Sequence, residues 1–160
     1  LLLSLNEIKK NNKTNIPLLL KISPDIKDNH ISEIAEAATK NDISAIILTN
    51  TTNSNRDYLV SEAKKEAGGL SGEPIQQIST NMIKKFYKKL NGKIPIIGVG
   101  GVNSGKSAYE KIIAGASLLQ LYTGFIYRGP SVAKDIKKEL IQILKAEGIK
   151  SIKDIVGKGV

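Results

Sequence analysis

Five short stretches hold residues whose types and spacing could do chemistry. Lys21 is a lone cation inside the apolar run IPLLLKIS, residues 16–23. An ammonium buried without a partner is costly, so either a structural ion pair or a ligand is expected beside it. TNTT, residues 49–52, puts short hydrogen-bonding side chains together. Asn50 donates and accepts in one plane, which suits a carboxylate or an imide edge, although an ordinary turn uses the same residues. GGLSG, residues 68–72, offers backbone donors for an anion or simply a flexible loop. GVGG, residues 98–101, is followed by ASLLQLYTG, residues 116–124. Two strands ending in small residues, with a helix between them, are how a parallel α/β sheet builds a phosphate cradle. Backbone N–H groups converge on an anion only where side chains leave room, which is the use of Gly98, Gly100 and Gly101. His30 stands alone at a helix start and reads as a surface residue, and the carboxylates show no metal-ligand spacing.

The elements that must position these residues alternate. Residues 1–10 read as the closing turns of an amphipathic helix, followed by a polar loop. Residues 16–23 form an apolar run typical of a strand buried on both faces, ended by Pro24 and Asp25. Asp28 is placed to cap a helix through Lys40, with Ile31, Ile34, Ala35 and Ala38 on one face. Residues 43–49 are a second buried strand. A polar stretch, residues 53–67, leads through GGLSGEP to a helix over 76–90 with Ile78, Met82, Ile83 and Phe86 inward. IPIIGVGG is the third strand, 104–114 a helix and ASLLQLY the fourth strand. After a short turn, a helix over 132–146 carries the stripe Val132, Ile136, Leu140, Ile143 and Leu144, and the tail adds one helical turn.

Four β–α units in strict alternation predict a parallel sheet. Lys21, Thr49–Thr51, Gly100–Gly101 and Tyr122–Thr123 all fall at strand C-terminal ends, the working face of a (β/α)8 TIM barrel. Four units are half of such a barrel, and the phosphate cradle on the last two strands marks the C-terminal half. A doubly wound sheet would place its dinucleotide fingerprint after the first strand, where SPDIKD stands instead. The expectation is one partial domain over residues 1–160.

Composition narrows the function classes. The 160 residues are 41% hydrophobic and 4% aromatic, so Ile, Leu, Val and Ala must do the packing. The absence of Cys removes disulfides, thiolate metal sites and a cysteine nucleophile, and fits a reducing, cytoplasmic compartment. The net charge of +9 is spread over helix surfaces without the aromatic interleaving of a nucleic-acid site, so no nucleic-acid partner is expected. No apolar run approaches the roughly 18 residues that would span a bilayer, and the start lacks a signal-peptide layout. The chain begins without Met on what reads as the end of a helix, as a cut chain would.

Taken together, KISPD, TNTT, GGLSG, PIIGVGG, AGASLLQLYTG and FIYRGP resemble dihydroorotate dehydrogenases, and specifically their quinone-linked class 2 branch. The resemblance runs from Ile16 to Glu147. It implies an FMN enzyme of pyrimidine synthesis that oxidises dihydroorotate to orotate and passes the electrons to quinone. It implies FMN contacts at Lys21, Thr49, Gly72, Gly101, Tyr122 and Thr123, and substrate contacts at Asn50 and Thr51. A fixed cation at Lys21 would favour negative charge on the flavin ring. The family's catalytic serine belongs to the N-terminal barrel half, and neither Ser4 nor Ser23 sits in a matching motif. No catalytic base is therefore assigned within these residues. The quinone and peripheral-membrane contacts of the family also lie in its N-terminal region. The chain accordingly reads as a C-terminal fragment, marginally stable and inactive alone, with two sheet edges exposed. Two alternatives stand beside it: another FMN or sugar-phosphate barrel enzyme, and a non-catalytic half-barrel that self-associates.

Overall fold

The computed structural model describes residues 1–54 and 56–160. Of the polar stretch 53–67, Asn55 lies outside the described residues. Four strands, β1 (Leu19–Ile22), β2 (Ala45–Leu48), β3 (Ile96–Val99) and β4 (Ala116–Gln120), form one parallel sheet in the order β1-β2-β3-β4. Helices α1 (Leu2–Asn11), α2 (Asn29–Lys40), α3 (Gln76–Leu90), α4 (Gly105–Ile113), α5 (Thr123–Arg128) and α6 (Val132–Ala146) alternate with or flank them. A strand order that follows the chain without reversal has no switch point. It is a segment of a barrel wall rather than a doubly wound sheet.

The core lies between the sheet and its helices. Ile46, Leu48 and Ile96 on the strands meet Ile83, Phe86 and Leu90 of α3 and Ala35 and Ala38 of α2, all buried. The α3 and α6 stripes fall where period 3.6 places them, with two adjustments. Ile78 is 42% exposed rather than inward, because α3 turns its buried face through Ser79, Met82 and Ile83. Ile143 is half-buried at the edge of the stripe formed by Val132, Ile136, Leu140 and Leu144. Asp28 occupies the N-cap position of α2, but its side chain caps nothing. Its carboxylate accepts instead from Lys85 Nζ at 2.6 and 2.7 Å, tying α2 to α3.

The opposite face of the sheet is open at its margins. The row Lys21, Ile47, Ile97 and Leu118 is aligned by the pairing register and points away from the helices. Leu19 is 44% and Leu118 61% exposed. The burial on both faces expected of residues 16–23 fails because β1 is an edge strand whose inner face no described residue covers, and β4, the other edge, is open in the same way. Lys21 is exposed for the same reason, and the expected buried ammonium is not found there.

The buried lysine is Lys111. It lies on α4 in the stripe with Ser107, Ala108 and Ile112, with no exposed surface. Its Nζ donates to Ser79 Oγ at 3.0 Å, Thr80 Oγ1 at 3.2 Å and the Gln76 carbonyl at 3.4 Å. Burial pushes its pKa from 10.5 down to about 8, against a smaller opposing pull from Glu110. Among the described residues no helix is long and apolar enough to cross a membrane.

Two expected outcomes follow from this packing. In the 160-residue chain, Phe86→Ala empties a fully buried site and lowers the unfolding free energy by about 3–5 kcal/mol, whereas Leu118→Ala changes it by less than about 1. Denaturant unfolding of both variants checks this, and comparable losses would mean that the inner face is covered. The second outcome concerns pH. An unfolded chain holds the Lys111 proton up to about pH 10.5, while the folded chain releases it near 8. Between those values the unfolded state binds more protons, so stability rises with pH through that window, by on the order of 3 kcal/mol. Comparison with Lys111→Met isolates this gain; parallel pH profiles of the two proteins would refute it.

Candidate functional site

An open cleft of about 720 Å³ lies at the C-terminal ends of the strands. Its walls contain Lys21, Thr49, Asn50, Thr51, Gly72, Gly101, Tyr122 and Thr123, so all the contacts expected from the resemblance line one space. Gly100 lines it too, whereas Gly98, expected in the same cradle, lies inside β3 and is closed in by Ala116 and Ile83 of the core. Residues from all four β–α units meet there because parallel strands deliver their C-terminal ends to the same rim.

Thr49 follows β2 and is buried. Its N–H donates to the Val99 carbonyl at 3.0 Å, and its hydroxyl donates to the Asn50 carbonyl at 2.8 Å. The Asn50 N–H donates to the Ile22 carbonyl at 2.8 Å. The three strand ends are thus laced together, while the side chains of Asn50 and Thr51 remain exposed on the rim. The Asn50 carboxamide oxygen accepts from Thr51 N–H at 2.9 Å, leaving its NH2 directed to other partners.

Asp25 holds the next turn in place. Its carboxylate accepts from the Thr52 hydroxyl and, at 2.9 Å, from the Asn53 N–H. Thr52 in turn forms an antiparallel bridge with Leu70. The stretch 68–74 is thereby fixed beside the cleft instead of swinging as a free loop. Ser71 and Thr123 hydroxyls meet at 2.9 Å, joining that stretch to the start of α5.

Two glycines form one wall of the cleft. Gly101 has φ +72°, and a Cβ there would come within 2.8 Å of Gln76 Cα. Gly72 has φ +80°, and its Cβ would meet Thr123 Cγ2 at 2.8 Å. Both are buried, and among the described residues neither N–H donates a hydrogen bond within the protein. A buried N–H without an internal acceptor needs an outside partner. Lys21 and Arg128 add positive charge to the same cleft, against the carboxylate of Glu73. The arrangement suits an extended ligand with an anionic end at Gly72 and Gly101 and a polar planar end toward Asn50 and Lys21.

Sequence reasoning missed several supports. Residues 123–128 form α5 where only a short turn was expected, and the helix starts at the cleft. Asp25 read only as a strand terminator, since the partners that reveal its role lie 27 and 28 positions away. Lys111 read only as one more helix-surface lysine, since the acceptors that reveal its burial lie 31 to 35 positions away on α3. His30 is at the surface, within 3.2 Å of Glu33. Among the described residues no group of His, Cys, Asp and Glu side chains is placed to hold a metal.

Known proteins share this sequence and fold. The family profile described as dihydroorotate dehydrogenase matches residues 3–144. The mitochondrial dihydroorotate dehydrogenase (quinone) of Arabidopsis thaliana is 46% identical over 142 residues, covering 88% of this chain and 31% of the relative. Its counterpart in Chromobacterium violaceum is 50% identical over 131 residues, covering 82% and 38%. That of Vibrio parahaemolyticus is 48% identical over 138 residues, covering 84% and 40%. A crystal structure of DHODH from Eimeria tenella in complex with ferulenol superposes with a TM-score of 0.85 at 43% identity, over 89% of this chain and 38% of that one. The chain therefore spans between about three and four tenths of the length of these relatives. With four in-order β–α units and this level of identity, the chain belongs to the dihydroorotate dehydrogenase family.

Proposed function

We propose that this chain forms the C-terminal half of the barrel of an FMN-dependent dihydroorotate dehydrogenase of the quinone-linked class. That enzyme oxidises dihydroorotate to orotate in pyrimidine synthesis. The observation that carries the reading is the convergence of Lys21, Thr49, Asn50, Thr51, Gly72, Gly101, Tyr122 and Thr123 on one cleft. The unpartnered N–H groups of Gly72 and Gly101, at positions that admit no Cβ, fit the phosphate end of FMN.

When bound, FMN supplies acceptance of a hydride and its onward transfer as electrons. The residues of this chain bind and orient. Lys21, exposed at the end of β1, brings a cation to the flavin ring. Thr49, locked by Val99, gives that ring a fixed edge. Asn50 and Thr51 present hydrogen-bonding side chains to the amide and carboxylate groups of dihydroorotate. Tyr122 and Thr123 close the ribityl side. Proton removal from the substrate, reduction of quinone and contact with a membrane surface are assigned to residues outside these 160.

Titrating FMN into the chain tests the cofactor site. Quenching of flavin fluorescence is expected, and Gly101→Ala weakens it by at least about tenfold, because a Cβ there meets α3 in a conformation that side chains avoid. Unaltered FMN fluorescence in a sample with folded circular dichroism argues against the site. The complete gene product containing these residues tests the substrate end. Asp25→Ala releases Thr52 and Asn53, and the KM for dihydroorotate rises by about tenfold with a smaller change in FMN affinity. An unchanged KM removes Asp25 from the positioning of Asn50 and Thr51.

A further inference from the structure

The wall behind the two cradle glycines is made by the residues that the buried Lys111 ammonium grips. A Cβ on Gly100 would meet Ile75 Cδ1 at 3.0 Å and Ser79 Cβ at 3.1 Å, and one on Gly101 would meet Gln76 Cα at 2.8 Å. Ser79 and Gln76, which back Gly100 and Gly101, are two of the three groups that accept from Lys111. The third, Thr80, is their neighbour on α3. Ser79 also donates its hydroxyl to the carbonyl of Val99, the residue before Gly100, and the same carbonyl accepts from Thr49 N–H. The ammonium thus reaches the cradle through the Ser79 side chain and the backbone of Gln76.

The charge has no ion-pair partner among the described residues, and only Glu110, beyond ion-pairing distance, attracts it. All three of its donors go to neutral oxygens, and among the described residues no carboxylate forms an ion pair with it. The adjacent carboxylate, Glu110, accepts from Gln76 Nε2 at 2.8 Å instead. A neutral donor would satisfy Ser79 and Thr80 without the cost of burying a cation, a cost expressed in the lowered Lys111 pKa of about 8. An anion in front of the glycines would offset part of that cost, because an opposite charge favours the charged form of a buried ammonium.

We propose that Lys111 is a positioning residue for the anion cradle, its ammonium holding Ser79 and Gln76 against Gly100 and Gly101 and favouring the phosphate of a flavin mononucleotide there. The role rests on the flavin reading of the cleft and assigns the phosphate end a cation that never touches the ligand.

Riboflavin lacks the phosphate and is the control ligand. Apoprotein of the complete gene product is titrated with FMN and with riboflavin, followed by flavin fluorescence. In Lys111→Met the dissociation constant for FMN rises by about tenfold or more while that for riboflavin changes by less than about threefold, and Lys111→Arg restores part of the difference. Equal weakening of both flavins assigns Lys111 to helix packing and overturns the proposal, as does no change in either. If Lys111→Met does not fold, Ser79→Ala carries the same test, since it cuts the link to Val99 and leaves the ammonium in place. There too a selective loss for FMN supports the role, and equal or absent losses overturn it. Wild-type protein that binds FMN no better than riboflavin overturns the phosphate cradle itself and this role with it. A phosphate preference that survives Lys111→Met overturns the role of Lys111 alone.

Discussion

The cleft depends on one backbone contact, the donation of Thr49 N–H to the Val99 carbonyl. It fixes the end of β2 against the end of β3, and so sets the spacing between the polar rim at Asn50 and Thr51 and the glycines that follow Val99. Parallel strands have slanted, evenly spaced bonds, and past the last regular pair the chains are free to diverge. Here they do not, because Val99 accepts a second hydrogen bond from Ser79. A helix behind the sheet and a strand beside it share one acceptor, and both sides of the site take their position from it.

Much of this was legible in the sequence because it is local. Four apolar runs separated by helix-length periodic segments give four β–α units, and the small residues at the ends of the third and fourth runs lie along the cleft. The capping box of α4, with Ser104 and Ser107 exchanging hydrogen bonds, is likewise a short-range feature. What stayed hidden depends on partners distant in sequence. Asp25 looks like a turn residue until the chain brings Thr52 to it. Asp28 looks like a helix cap until Lys85 arrives from another helix to claim the carboxylate.

The two lysines show the limit most sharply. An apolar run containing Lys21 reads as a buried strand with a buried cation. Burial on the second face, however, requires a layer that the run itself does not encode, and β1 lies at an edge. Lys111 sits in a segment whose charged residues read as solvated helix surface, yet α4 packs against α3 as well as α6 and the lysine falls in the seam. Periodicity states which residues share a face. It does not state what, if anything, covers that face.

The in-order strand arrangement also governs how the molecule assembles. Each strand pairs only with its neighbours in sequence, so β1 with β2 and β3 with β4 close over crossovers that each hold one helix, residues 23–44 and 100–115. The β2–β3 pairing must instead close over residues 49–95, which include the 68–74 stretch and all of α3. Loop-closure entropy makes that the most expensive of the three pairings and places it late in folding. It is also the pairing that brings Thr49 to Val99. The cleft at the strand ends is therefore completed by the longest closure of chain assembly, and a molecule caught before it holds two β–α–β units and no cleft.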